Sequence, residues 1–158
     1  MRVSSSAKIL IPTLLVAALS SACADAVEVG SGAAGDEVEQ VSVAQDQRTQ
    51  SDLRAVLLTA MTAFVDNSSF DGAEALIPGS APGICVTSAT TSAGPSAGCP
   101  TPVSVYAQGS TFAAAAMSES GHCFWIRTEA NATPTYGAGT PCTGAAALGA
   151  TSTAFPSD

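Results

Sequence analysis

The sequence predicts an α+β domain in which one long amphipathic helix packs on a small antiparallel meander of three to four strands, with two disulfides. Three observations support this prediction. The first is a helical stripe of apolar residues before position 67, and the second is a set of short alternating runs between positions 103 and 127. The third is the presence of four cysteines in the C-terminal half of the chain. A helix laid on one face of an antiparallel sheet is an α+β arrangement.

The helix is predicted over residues 48–66. Its apolar residues recur with a period of about 3.6 residues and so form one stripe. The stripe consists of Leu53, Val56, Leu57, Ala60, Met61 and Phe64. Asn67 and the serines after it end the pattern, and Asp71-Gly72 turns the chain. Because such a stripe must be covered, we expect it to form the core against later segments.

Three strands are predicted after the helix, at residues 103–107, 111–117 and 122–127. Turns that contain Gly109 and Gly121 join them, which indicates an antiparallel meander. The alanine run in the second strand favours helix by propensity. Its short length and the flanking turns favour a strand whose small side chains let the helix pack closely. Residues 84–86 are a candidate fourth strand.

The N-terminus has the pattern of an export signal. Arg2 and Lys8 precede an apolar run at residues 9–19, and small residues follow it up to Cys23. The run is shorter than the roughly 20 residues of a membrane-spanning helix. We therefore assign residues 1–22 to a signal peptide and expect the mature protein outside the cytoplasm, in the cell envelope.

Cys23 has two interpretations. In the one we prefer, cleavage after Ala22 leaves Cys23 acylated as a lipid anchor, although Leu19 stands four residues before the cysteine instead of the usual three. Acyl chains enter a bilayer with about 0.8 kcal/mol per methylene, so two or three of them anchor stably. Ordinary cleavage after Ala24 or Ala26 also fits the sequence and would give a secreted protein.

Residues 23–45 are predicted to be an acidic flexible tether, followed by a domain at residues 46–158. The tether contains no aromatic and no basic residue, so it buries too little apolar surface to offset the entropy of ordering. After Cys23 three arginines stand against 13 acidic residues. This excess of negative charge disfavours nucleic acid and anionic membrane surfaces as partners. We expect contact with a membrane through the lipid anchor only.

Four cysteines, Cys85, Cys99, Cys123 and Cys142, remain after the signal, and an even number in an exported domain predicts two disulfides. Three pairings can be drawn. We favour Cys85–Cys99 and Cys123–Cys142, because each closes a loop of proline, glycine and small residues. The spacing contains no C-x-x-C motif, which argues against zinc and thioredoxin-type chemistry.

The sequence predicts no catalytic residues, no metal site and no cofactor. His122 is the one histidine, and we interpret it as a sheet residue beside a half-cystine. The serines lack a nucleophile-elbow context. Asp66, Ser68 and Asp71 fail the spacing of a calcium loop. A remote alternative is a hydrolase in which His122 acts with Glu119.

Several segments in order resemble type IV pilin-like proteins and type II secretion pseudopilins. Residues 50–55 through 64–67 resemble the exposed half of the long pilin helix. Residues 103–127 are similar to the sheet of pilin headpieces from Gram-positive bacteria, through Val103-Ser104-Val105, Gly109, Phe112-Ala113-Ala114, Ser120-Gly121, Cys123-Phe124 and Ile126-Arg127. Residues 135–137 and 142–146 resemble their closing loop. The resemblance covers residues 45–148 and implies a pilin-like headpiece.

The chain departs from a prepilin at its N-terminus. A prepilin has a short basic leader and then about 20 apolar residues with a glutamate at the fifth place, which anchor the protein and build the filament core. Here the apolar run is shorter, is broken by Pro12 and contains no glutamate. The resemblance therefore implies a headpiece without self-polymerisation.

We expect a non-enzymatic, lipid-anchored envelope protein with a structural, adhesive or pilus- or secretion-accessory role. Its expected partners are other envelope, pilus or pseudopilus proteins. The alternative is a secreted module that binds a small ligand or a cation.

Overall fold

The computed structural model describes residues 34–94, 96 and 98–156. One long helix precedes a sheet, and short helical turns fill the connections. The elements are α1 (Ala34–Asn67), a 3-10 turn (Ala73–Ala75), α2 (Ile77–Ser80), β1 (Ile84–Thr87), β2 (Thr101–Gln108), β3 (Thr111–Met117), β4 (Cys123–Glu129), β5 (Thr135–Ala138) and α3 (Gly144–Ala147). The strands lie in the order β1-β2-β3-β4-β5.

The predicted α+β class is confirmed, but the sheet is larger and more varied than the predicted meander. It has five strands, and β1 pairs with β2 in parallel, so the sheet is mixed. The crossover at residues 88–100 returns the chain to the same end of the sheet, which a hairpin could not do. The short strand β5 lies in a segment that we had assigned to the closing loop, because four residues without alternation give no strand signal.

Helix α1 is 34 residues long, so the prediction of residues 48–66 was too short at its N-terminal end. Residues 34–45, which we predicted as flexible tether, are helical. Residues 37–45 form no core-facing stripe, since Val38, Val41 and Val43 are all exposed. The periodicity that revealed the rest of the helix is therefore missing there. Residues 1–33, with the predicted signal peptide and Cys23, lie outside the described residues.

The first face of the sheet packs against α1. The predicted stripe forms this core, with Leu53, Val56, Leu57 and Ala60 buried. Met61 and Phe64 are partly buried at its margin. Opposite them lie the large side chains of the sheet and of the turn after α1, namely Phe70, Val103, Phe112, Phe124 and Ile126.

The second face of the sheet is also covered, whereas the sequence had indicated a helix on one face only. Its cover is α3 and the loop before Gly94, and its core is made of small residues and one disulfide. The buried members are Ala93, Ala113, Ala115, Cys123, Cys142 and Ala147. The alanine run of β3 thus alternates between two covered faces, which confirms the strand and explains its small side chains.

Both predicted disulfides are present. Cys85 pairs with Cys99 across a Cα–Cα distance of 6.0 Å, and Cys123 pairs with Cys142 across 5.6 Å. The first closes the crossover between β1 and β2, and the second ties the start of β4 to the segment that leads into α3. Among the helices that the structure describes, none has both the length and the hydrophobicity needed to cross a membrane.

Candidate functional site

A polar cluster, buried at Asp46 and Ser118 and exposed at His122, joins α1 to the turn between β3 and β4. Asp46 stands on the first turn of α1 that meets the sheet, and it is only 8% exposed. The turn presents Ser118, Ser120 and His122 to it within five residues. The turn is narrow because the N–H of Ser118 donates to the carbonyl of His122 at 2.8 Å, and Gly121 adopts a positive φ of 94°.

Every polar side chain of this turn contacts Asp46 or its neighbour on α1. The hydroxyls of Ser118 and Ser120 both donate to Oδ1 of Asp46 at 2.5 Å, and they also contact each other. Nδ1 of His122 lies 2.8 Å from Oδ2 of the same carboxylate. Gln45, the residue before Asp46 on α1, also faces this turn. Its side-chain amide donates a hydrogen bond to the carboxylate of Glu119 at 3.2 Å. We call the set Asp46, Ser118, Ser120 and His122 the Asp46 clamp.

The clamp holds Asp46 in its charged form. Burial alone would raise the pKa of Asp46, because it disfavours the charged carboxylate. The hydrogen bonds from the two serines and His122, together with the charge of His122, outweigh burial and hold the pKa of Asp46 below its ordinary value. The carboxylate is therefore a fully hydrogen-bonded acceptor, which is the condition for burying a charge at low cost.

The clamp contains aspartate, histidine and serine, but not in the geometry of a catalytic triad. In a triad the carboxylate and the nucleophilic hydroxyl bind opposite nitrogens of the imidazole. Here Asp46 and Ser120 lie on the same nitrogen, Nδ1, at 2.8 and 3.3 Å. The hydroxyl of Ser120 also donates to the carboxylate itself. This arrangement orients a turn and a helix; it does not activate a hydroxyl.

His122 does not lie inside a strand as we predicted, but directly before β4. The acid at its Nδ1 is Asp46 and not Glu119, the partner considered in the sequence-based hydrolase alternative. Asp71, considered for calcium, accepts hydrogen bonds from the Gly109 N–H at 2.9 Å and from Ser69 at 2.8 Å. These bonds lower the pKa of Asp71 and tie the end of α1 to the β2–β3 hairpin.

Next to the clamp, a groove of about 460 Å³ separates α1 from the start of β2 and the end of β3. Its walls combine apolar side chains such as Val41 and Met117 with the charged groups of Arg48, Asp52 and Glu119. Asp52 accepts a hydrogen bond from Thr101 at 3.4 Å. Arg48 forms no hydrogen bond or ion pair with any residue that the structure describes.

Among residues 34–94, 96 and 98–156, no group of three or more His, Cys, Asp or Glu side chains is arranged to hold a metal ion. The four cysteines of the C-terminal half are used in the disulfides.

The Asp46 clamp was not found from the sequence. Asp46 lies at the border of the predicted tether, and it is 72 residues from Ser118 in the sequence. The one local signal is the alternation of Ser118, Ser120 and His122, whose side chains share one side of a turn. Nothing in that pattern identifies the acid that they bind.

No protein-family model, no curated protein and no solved structure matches this chain.

Proposed function

We propose that this chain is an exported, lipid-anchored envelope protein with a pilin-like headpiece. Its role is structural, adhesive or accessory to a pilus or secretion pseudopilus. The observation that supports this proposal best is the two-part helix α1. Residues 37–45 are all exposed or half-buried, whereas the following turns pack along the sheet. A headpiece presented on the free end of its own helix is the arrangement that the resemblance to pilins implies.

The projecting part has the dimensions of a short stalk. At 1.5 Å per residue, residues 34–45 extend about 18 Å. The Asp46 clamp lies where the helix leaves the sheet, so it fixes the angle between stalk and headpiece. The two disulfides suit an oxidising compartment outside the cytoplasm. Anchoring through Cys23 would place this stalk next to the membrane.

The anchor is tested by changing Cys23 to serine in cells that export the protein. We expect the variant to move from the membrane fraction to the soluble fraction, and intact mass of the natural protein to show an acylated Cys23. A mature N-terminus at Asp25 or Val27 would contradict the anchor and favour a secreted protein.

The stalk is tested by deleting residues 36–42, which removes about two helical turns and keeps the helical phase. We expect the melting temperature of the purified domain to stay within a few degrees, because none of the deleted residues from 37 onward is buried. Accessibility of the headpiece to antibody on intact cells should fall. The matched control is Val38→Ala, which keeps the length. Equal accessibility for both variants would contradict a stand-off role.

A second candidate function, small-ligand binding, rests on the groove beside Arg48. A guanidinium that has no partner among the described residues and lies next to apolar walls suits a small carboxylate with an apolar body. A panel of aliphatic and aromatic carboxylates in a thermal shift assay tests it, with Arg48→Gln as control. A rise in melting temperature that the control abolishes would favour this candidate.

A further inference from the structure

Strand β2 is longer than its neighbour β1. The parallel pairing starts at Ile84↔Thr101 and ends at Thr87↔Ser104, whereas the pairing of β2 with β3 continues to Gln108. Within the part of the chain that the structure describes, residues 105–108 of β2 therefore have a strand neighbour on one side only. We call this stretch the open edge.

The register shows which backbone groups the open edge presents. Gly109-Ser110 forms a two-residue turn that closes the pair Gln108↔Thr111, so the even-numbered residues of β2 exchange hydrogen bonds with β3. The odd-numbered residues point to the other side. Thr101 confirms this, because its N–H donates to the carbonyl of Gly83 at 3.3 Å. Beyond Ser104, the carbonyl of Val105 and both backbone groups of Ala107 thus lie on the open edge.

The open edge borders a groove of about 610 Å³. The end of β1 and the residues after it form one wall, and Glu74 forms part of the other. The hydroxyl of Tyr106 donates to the side chain of Gln108 at 2.6 Å, which holds both side chains together on one side of the strand. At about 3.3 Å per residue, the four residues of the edge offer about 13 Å of backbone to a partner.

The opposite edge of the sheet is closed. Tyr136 of β5 and Ser152 exchange two backbone hydrogen bonds at 2.8 and 3.0 Å. The hydroxyl of Thr135 donates to the carbonyl of Ala150 at 2.9 Å. The C-terminal segment thereby covers β5. Natural sheets commonly cover or charge their edges, because unpaired backbone groups bind other strands. The contrast marks the open edge as a surface that the fold leaves available.

The charges around the groove favour a basic partner. Glu74 is exposed and forms no hydrogen bond or ion pair with a described residue. Asp71 lies nearby at the hairpin, where its carboxylate accepts from the Gly109 N–H. Neither lysine nor arginine is among the residues that line the groove. A second copy of this chain would bring the same acids and the same negative net charge to the contact, so like charges oppose edge-to-edge pairing of two copies.

We propose that the open edge is a strand-addition site that binds an extended, lysine- or arginine-containing segment of another protein. Backbone hydrogen bonds to Val105 and Ala107 would supply affinity, and Glu74 would supply the preference for a basic side chain. This inference depends on the sheet edge and on Glu74, so it holds whether or not the domain works at a pilus.

The test is a titration of the isotope-labelled mature protein with the peptide acetyl-Lys-Val-Thr-Val-Lys-amide, followed by NMR. We expect shifts centred on the amides of residues 105–107 and slower hydrogen exchange at Ala107. Acetyl-Lys-Val-Pro-Val-Lys-amide, which lacks the central N–H, should bind at least tenfold more weakly. Equal binding of both peptides, shifts centred elsewhere, or no shifts at millimolar peptide would overturn the proposal.

Two variants test the site from the protein side. Ala107→Pro removes an N–H from the open edge, where a strand tolerates proline, so we expect a folded protein with at least tenfold weaker peptide binding. Tyr106→Pro is the matched control, because it removes an N–H that bonds β3, and it should unfold the domain. Unchanged peptide affinity in folded Ala107→Pro would refute the site.

Glu74→Gln provides a readout that does not depend on proline. At low salt it should weaken the lysine peptide severalfold and leave the neutral peptide acetyl-Ser-Val-Thr-Val-Ser-amide unchanged. Equal effects on both peptides would contradict the basic preference. Sedimentation of the protein alone tests whether a second copy of the chain binds the open edge. A dimer that Ala107→Pro abolishes would identify such a copy and overturn the proposal as stated.

Discussion

The two faces of the sheet are covered by different chemistry. The face towards α1 is filled with large side chains, including Leu53, Phe70, Phe112 and Ile126, all fully buried. The other face has alanines and a disulfide in its core, and α3 lies almost directly on the backbone of β2. One face thus depends on apolar volume, and the other on close approach and a covalent crosslink.

Each face also has a polar tie. On the α1 face it is the Asp46 clamp. On the α3 face it is Ser104, whose hydroxyl donates to the carbonyl of Ser88 and accepts from the N–H of Gly144, both at 2.8 Å. The small side chains of the second face do not make it weak, because backbone contacts and a crosslink replace the apolar side-chain volume that it lacks.

Removing volume from the α1 face should have the largest effect. Phe112→Ala deletes a fully buried ring that packs 5.7 Å from the ring of Phe70, centroid to centroid. We expect a loss of about 3–5 kcal/mol in the free energy of unfolding, measured by urea denaturation. Leu58→Ala is the control, because Leu58 lies on the solvent-facing side of α1 and is 69% exposed. A similar loss in both variants would contradict a core on this face.

Removing the crosslink tests the second face. The double substitution Cys123→Ser with Cys142→Ser removes a crosslink between two residues that are 19 positions apart in the sequence. We expect a loss of about 3 kcal/mol, since a crosslink of this loop length limits the entropy of the unfolded chain. Peptide mapping without reduction must first show Cys123 linked to Cys142 in the natural protein. A link from Cys85 to either of them would contradict both pairings.

Close approach on the second face is tested at Gly144. A Cβ at this position would lie 2.7 Å from the backbone nitrogen of Tyr106, so the backbone must move to admit it. We expect Gly144→Ala to cost about 1–3 kcal/mol in thermal or urea unfolding. Ala145→Ser, at the exposed neighbouring position, is the control and should be near neutral. An unchanged stability of Gly144→Ala would mean that α3 does not rest on β2.

The smallest expected effect concerns the polar tie of the α1 face. Asp46→Asn keeps an acceptor for the serines but removes the charge, and we expect a loss of about 1 kcal/mol at pH 6. Since the folded protein lowers the pKa of Asp46, the unfolded chain binds its proton more readily. The advantage of the natural protein over Asp46→Asn should therefore be present at pH 5 and shrink as the pH falls below about 4.

Melting curves of both proteins between pH 3 and pH 6 measure this advantage. An advantage that grows as the pH falls would have the wrong sign for a carboxylate whose pKa is lowered by folding. An advantage that stays constant over the whole range would mean that the charge of Asp46 does not matter to the clamp.

The first face was predictable from the sequence and the second was not. The stripe from Leu53 to Phe64 repeats with the helical period, so its burial follows from local pattern. The second face depends on contacts between distant segments, such as Gly144 against β2 and Ala93 against Cys142, whose N–H and carbonyl bond at 2.8 Å. Alanines and glycines give no periodic signal, because their small side chains occur in loops as often as in cores.

The predictions at the ends of elements failed for a related reason. Residues 37–45 of α1 have no buried side, so only helix propensity could have revealed them, and the acids and glycines of the predicted tether indicated a flexible segment instead. Strand β5 is held mainly by its pairing with β4 and by the bridge from Tyr136 to Ser152. Neither contact can be predicted from the residues of β5 itself. The Asp46 clamp could not be predicted because its acid lies at the border of the predicted tether and is 72 residues from Ser118.

Neither disulfide involves α1, and this divides the domain mechanically. Both crosslinks join strands to loops on the sheet side. Among the described residues, the helix is held to the sheet by core packing, by the clamp and by side-chain hydrogen bonds such as that from Thr101 to Asp52. Tension that enters through the projecting end of α1 would first load the Gln45–Glu119 hydrogen bond and the adjoining Asp46 clamp. The helix would then peel away turn by turn while the crosslinked sheet kept its shape. Under load the domain would yield at one defined seam, and it could close that seam again once the tension ended.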